Sequence, residues 1–479
     1  MPSLLPGEEG NNAVPSPASG PPMPSSSKQT PSEENVALLD GLSVENVTNT
    51  LLRSILAETA LTWPFELFNL VRNSAPLIVG FLLQHSLTLA SVFSAGQLGK
   101  DELAAVSLAT ITANLTGYAL YQGFVTALET LCAQSYGAGQ YTEVGLHLQR
   151  CVILLMLTSV PIGCIWMSSP SILGLIVQEK KVVELAGGYL RILFLGAPGY
   201  ALFEAGKRYM QAQSIPHAST AVLAFLAPLN AFMNFALVSG EFLGLGFGFY
   251  GAPAAVVITN WLMPLCLAYY AIFIEGSKCW HPLTLRVFTN WESILSLTLP
   301  GIAMIWSEFI SVELLTLFSS YFGTSTMAAH AILATMMSFI YQLPFGMSLS
   351  SCNAVAQYVG AGNITSARRS AYVAMGIAIV FGVIDCVALI AMFSRDKEVI
   401  AFVAEALPVC AAFQVVDVLA SGQGRQRIAG IVKIPAYYGL AIPLGWGIRG
   451  LWAGCTCALA VVAMVQTVAK VDMNSVGDC

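Results

Sequence analysis

The sequence predicts an all-α polytopic membrane protein: twelve transmembrane helices in two pseudo-symmetric six-helix lobes. Three observations lead there. The 479 residues are 56% hydrophobic and only 10% charged, with mean hydropathy +0.70, whereas a soluble domain carries roughly 25% charge. Apolar stretches long enough to cross a bilayer core, about 20 residues each, recur along the chain. The second half of the chain also repeats the first.

The start differs from the rest. "PSPASGPPMPSSSKQTPSEEN" is rich in Pro, Ser and Gly and lacks the apolar core of a signal peptide. Residues 1–60 are therefore expected to be a disordered cytosolic tail, ending in a short amphipathic helix within "DGLSVENVTNTLLRSILAET". Spans follow near 74–97, 104–130, 150–172, 183–204, 217–239 and 251–274, the helices of an N-terminal lobe covering 61–275. The polar stretch "EGSKCWHPLTLRVFTNWES" introduces an inter-lobe linker, 276–293. Six more spans, near 294–321, 328–351, 370–393, 399–421, 428–447 and 450–470, make a C-terminal lobe, 294–479.

Cationic residues assign the sides. Lys100, Lys180, Lys181, Arg395, Lys397 and Arg449 fall in the loops opposite the tail, and fourteen others fall on the tail's side. The positive-inside rule then places both termini in the cytosol. Arg191 is the only charge read as deep within an N-lobe span. The repeat is ordered: Pro76 answers Pro300, "GKDELAAVSLAT" answers "GTSTMAAHAILAT", "QSYGAGQ" from Gln134 answers "QYVGAGN" from Gln357, and Pro198 and Gln213 answer Pro408 and Gln423. Duplicated six-helix lobes are a transporter architecture with substrate held between or within the halves.

Several chemistries are excluded. The net charge of −6 and the absence of a basic arm give no nucleic-acid partner. The eleven cysteines are scattered, mostly in apolar runs such as those of Cys132, Cys164, Cys266 and Cys352, and read as small packing residues. There is no phosphate-binding "GxxxxGK[ST]", and "GFGFYG" from Gly246 lies between spans with no strand before it, so it reads as a tight turn. The five histidines show no metal-ligand spacing. No metal, no cofactor and no catalytic constellation is expected; the chain does not read as an enzyme.

What remains is a set of intramembrane acids. Glu308 and Glu313 share one apolar run, "PGIAMIWSEFISVELLTLFSSYFG", although one acid at mid-bilayer already costs about 2.5–3.5 kcal/mol on insertion scales. In the repeat, Glu308 corresponds to Gln84 and Glu313 to Leu89, so the acids belong to the second lobe alone. Five residues separate them by about 140° of helix and about 7.5 Å of rise. Asp417, in "AAFQVVDVLASG", is the natural third member of a carboxylate cluster, while Asp385, in "FGVIDCVAL", is left open between function and packing. The alternative for the glutamates is a structural acid bonded by Ser307, Ser311 or Thr316. Glu129 and Glu204 read as structural, with Lys207 or Arg208 one turn beyond Glu204 as its partner.

At "GQLGKDELAAVSLA", "ALETLCAQSYGAGQ", "KRYMQAQ", "PGIAMIWSEFISVELL" and "GQGRQRIAGIV" the chain resembles the multidrug and toxic compound extrusion (MATE) family, in its eukaryotic, fungal branch. The resemblance runs from about residue 72 to the C-terminus. It implies a central V-shaped cavity and export of organic cations or other xenobiotics in exchange for H⁺ or Na⁺. It also implies that Glu308, Glu313 and Asp417 bind substrate or proton, with Ser307, Ser311, Thr335, Asp385 and Gln84 as their possible surroundings. The family's alternative acid in the first helix falls near Ser91 here, so coupling through the N-terminal lobe is not expected. The partners implied are the lipid bilayer of a plasma or vacuolar membrane and small organic substrates, with no obligate protein partner.

The chain departs from that pattern in three places. Thr335 stands where some animal members carry an acid, and the stretches between Asp417 and Gly424 and between Pro443 and Trp446 are short. The eleventh span is left with Ile434 to Ile448, about 22 Å of helix. Two rival readings follow: a transport-impaired protein from a truncated gene model, and a lipid-linked-sugar flippase of the same superfamily, which would need a strongly cationic cavity.

Overall fold

The computed structural model describes residues 44–175, 177–239, 246–321, 338 and 342–392. The chain divides into two compact units, Met1–Leu61 and Thr62–Cys479. In the first, helical residues begin at Val44. All contacts below lie within the second.

Among the described residues the elements are helical, and seven helices are long and apolar enough to cross a membrane. Helix α1 is Val44–Gly96, with its apolar span over Trp63–Gly96. Helices α2 (Lys100–Ala113) and α3 (Ala119–Gly137) form one span, joined through a π-helical turn at Asn114–Tyr118. Helix α4 (Tyr141–Met167) and the short α5 (Ser169–Leu173) follow. Helices α6 (Lys180–Leu193) and α7 (Ala197–Ala212), joined by a 3₁₀ turn, form the next span. Then come α8 (His217–Ser239), α9 (Gly251–Phe273), α10 (Trp291–Tyr321), α11 (Gln342–Gly360) and α12 (Ile364–Met392).

The first nine expected spans, through 370–393, thus coincide with helices or with described parts of them, although several run beyond the apolar core. The second reaches back to Lys100 and on to Gly137 because its ends are polar but still helix-forming. The spans expected near 399–421, 428–447 and 450–470, including the short eleventh, lie outside the described residues. "GFGFYG" is a turn, with Gly248 at φ +54°, a left-handed conformation that favours glycine.

Two expectations are corrected. Cys164 is exposed, not buried, on the outer face of α4, whereas Cys132, Cys151, Cys279 and Cys352 are buried free thiols. Arg191 is exposed and donates to the Met167 carbonyl at 3.2 Å; among the described residues the buried cations of the N-lobe are Arg150, Lys207 and Arg208. For Lys207 and Arg208, acid neighbours, described below, make that burial tolerable.

The core of the N-lobe runs through α2, α3, α4, α6, α7 and α8, with Trp166, Tyr121 and Phe203 among its fully buried side chains. Two lobe-to-lobe seams follow the sequence repeat. A Cβ on Gly137 would overlap the Gln357 carbonyl, and one on Gly360 would overlap the Gln134 carbonyl. Higher up, a Cβ on Gly123 would press on the backbone of Ile302, and one on Gly346 on Ile78. Each contact is the mirror of its repeat partner, the reciprocity that two-fold symmetry imposes on an interface. Small residues at these points let helix backbones approach closely, the usual means of helix packing in lipid.

Candidate functional site

Helix α10 carries both glutamates of the seventh span. Its N-terminal part is held against the N-lobe: Gly301 and Ile302 lie on Gly123 and Thr126 of α3, and Trp306 donates its indole N–H to the Leu115 carbonyl at 3.0 Å. Leu115 belongs to the π-helical turn, where the ordinary i→i−4 pairing is interrupted and a carbonyl is turned toward outside donors. Trp166 donates to Thr116 in the same turn at 2.8 Å. One indole therefore satisfies a carbonyl and the other a threonine hydroxyl of the turn inside a membrane span, where an unsatisfied polar group would cost several kcal/mol.

Glu308 and Glu313 follow this clamp, and both are half-buried. Ser307 is buried and donates to Met304 of its own helix at 2.9 Å. Ser311 lies on α10 and Asp385 on α12, with their side chains outside the described residues, as are Thr335 and Asp417 altogether.

A second polar group lies in the N-lobe, where three helices converge. Glu204 and Lys207 of α7 form a salt bridge of 2.8 Å, their side chains only 2% and 4% exposed. Gln84 of α1 completes it: its amide donates to Glu204 Oε1 at 2.7 Å and its carbonyl accepts from Lys207 Nζ at 2.9 Å. Next in sequence, Arg208 Nε lies 3.2 Å from Glu129 of α3, and its guanidinium donates to Gln211 at 3.1 Å. Lys207 also sits 5.0 Å from the Phe81 ring centroid, and Phe81 packs edge-on against Phe345 of α11 in the other lobe, at 4.9 Å. Charge at this cluster is balanced, two acids against two bases. An excess positive field, which a pyrophosphate-carrying lipid would require, is absent from it.

Sequence reasoning placed Glu204 beside Lys207 correctly. It missed that Gln84, the repeat counterpart of Glu308, is the third member of this group. That Gln84 of α1 meets both Glu204 and Lys207 of α7 cannot be read from spacing along any one helix. The π-helical turn was also missed. Its only signal was "NLTGY", three polar or flexible residues in the middle of an apolar span.

The MatE family model matches residues 76–236 and 300–446. An uncharacterized transporter of Schizosaccharomyces pombe is 37% identical over 464 residues, covering 92% of this chain and 84% of that protein. Multidrug and toxin extrusion protein 2 of Mus musculus is 30% identical, covering 80% of this chain and 70% of that protein. The crystal structure of the eukaryotic MATE transporter AtDTX14 superposes with a TM-score of 0.77 at 27% identity, covering 85% of this chain and 96% of that one. The protein belongs to the MatE family and is an integral, multi-pass membrane transporter with the all-α, twelve-helix fold of two lobes.

Proposed function

We propose that the protein is a secondary antiporter that exports organic cations or other xenobiotics in exchange for H⁺ or Na⁺, through Glu308, Glu313 and Asp417 in the C-terminal lobe. The observation that carries this reading is the asymmetry between the repeats. Gln84 is neutral and is tied into a balanced ionic group, while its counterpart Glu308 is an acid on the helix that meets the other lobe. Intramembrane acids mark ion and substrate pathways. The relatives named for multidrug and toxin extrusion support the substrate class.

A carboxylate carried from water into an apolar chamber holds its proton more tightly than one in solution. Protonation and cation binding then compete for one set of oxygens. A ligand shifts the conformational balance only by its differential affinity for the two states, so this competition couples substrate release on one side to ion uptake on the other. The cation distribution supports cytosolic termini, in the plasma or vacuolar membrane. No cofactor beyond the coupling ion is needed, and the partners are lipid and small organic molecules.

Proteoliposomes with an imposed pH or Na⁺ gradient test the proposal. Wild-type protein should move a fluorescent organic cation against its gradient, and Glu308→Gln protein should not. Coupled flux in Glu308→Gln equal to wild type would refute the mechanism.

A further inference from the structure

The segment between the two lobes has two unlike faces. Its inner face is closed: Gly276, Cys279 and Val287 are buried, and the backbone is tied to the N-lobe. Tyr209 donates to the Gly276 carbonyl at 3.0 Å, Gln149 to the His281 carbonyl at 2.5 Å and Arg150 to the Arg286 carbonyl at 3.3 Å. The Lys278 ammonium packs on the Tyr141 ring, 4.0 Å from its centroid. The segment is thus a strap laid along the first turns of α4 rather than a free loop.

Its outer face is apolar. Trp280, Leu283, Leu285 and Phe288 are 61%, 83%, 84% and 64% exposed. Four large apolar side chains on so short a stretch form the kind of patch that soluble surfaces avoid. The strap follows directly in the chain on Ile272, Phe273 and Ile274 at the end of α9, themselves 59%, 71% and 63% exposed, at the end of a candidate membrane span. The strap begins and ends at membrane boundaries, running from Phe273 to Trp291.

We propose that residues 274–290 are an interfacial strap, seated in the boundary between headgroups and acyl chains of the adjoining leaflet, with Trp280, Leu283, Leu285 and Phe288 in lipid. The partner is a phospholipid bilayer surface. Its attraction is apolar: the strap carries one exposed acid, Glu275, against two exposed bases, Lys278 and Arg286, short of the cluster of about four to eight bases that selects anionic headgroups. Indoles and aliphatic side chains at this depth are the usual anchors of interfacial segments. The proposal stands on the membrane location of the chain and is independent of the coupling ion.

The test is photocrosslinking of the full chain in phosphatidylcholine vesicles, with p-benzoyl-phenylalanine placed at Leu283 and, in a second protein, at Leu285. The reference is Ser277, which is exposed but outside the apolar patch. Phospholipid adducts by mass spectrometry should exceed the reference by at least about five-fold at either position. The yield should be unchanged when phosphatidylglycerol is added to the vesicles. Yields equal to the reference at both positions, adducts to a second protein chain in place of lipid, or adducts that require the anionic lipid would each overturn the proposal.

Discussion

The Trp306 indole and the Leu115 carbonyl meet at 3.0 Å across the two lobes, two residues, about 3 Å of helix rise, before Glu308 on the same helix. The bond ties the π-helical turn of the N-lobe to the helix that carries both candidate acids. Replacing Trp306 with Phe keeps a ring but removes the donor, leaving a carbonyl inside a membrane span short of a partner. The expected cost is about 1–3 kcal/mol, seen as a lower melting temperature of the purified protein. A melting temperature equal to wild type would mean that the carbonyl is satisfied in another way.

The lower seam makes a symmetric prediction. Gly137 and Gly360 are each closed over by the partner repeat's backbone, so a branched side chain at either should part α3 from α11. Cys352, buried on α11, reports the opening. In Gly137→Leu and Gly360→Leu proteins its alkylation by a membrane-impermeant maleimide should rise several-fold, and by similar amounts. Gly139, with no atom near its missing Cβ but φ +74°, serves as a control: Gly139→Asn accepts the left-handed backbone and should leave Cys352 protected.

The Glu204–Lys207–Gln84 group should behave as a buried ion pair. Lys207→Met alone strands a buried carboxylate and should cost about 3–5 kcal/mol, while the double change Lys207→Met with Glu204→Gln should recover much of that loss. Thermal stability of the two variants side by side decides it. If the double variant is no better than the single, the pairing energy is not what holds Glu204 in place.

Cys279 gives a pH-dependent signature outside the spans. Burial pushes its thiol up to about 11, because the charged thiolate is the form that burial disfavours. The thiolate is the reactive species, so at pH 8 only roughly one thiol in a thousand is reactive. Peptide mass spectrometry after alkylation should find Cys279 unmodified near neutral pH, with labelling rising as the pH approaches 11. Rapid labelling of Cys279 at pH 7 would show that the strap lifts off the N-lobe.

Much of the architecture was legible because the bilayer leaves a chain few choices. Apolar runs such as those around Val152–Ile165 and Ala252–Phe273 must be helices, since every backbone group must be bonded within its own segment. The helix joining Lys100 to Gly137 was legible too, although its π-helical turn at Asn114–Tyr118 was not, because that irregularity depends on donors from Trp166 and Trp306 elsewhere in the chain. The acids were legible as a set on one helix; which polar groups surround them was not. Burial of Lys207 and Arg208 was misjudged for the same reason: a lysine near a span's end reads as a surface anchor until Glu204, Glu129 and Gln84 are brought around it.

By itself, then, the sequence determined the number and order of spans, their pairing into repeats and the restriction of the glutamates to the second lobe. Each of these follows from composition and spacing along one segment, which the thickness of the membrane turns into structure. Only the tertiary structure decided that Gln134 meets Gly360 while Gln357 meets Gly137, and that Gln84 joins Glu204 and Lys207. These contacts join residues 120 and more positions apart in the chain. They depend on how closely two helix backbones can approach and on which buried charges can be matched, and both are properties of packed helices rather than of any single one.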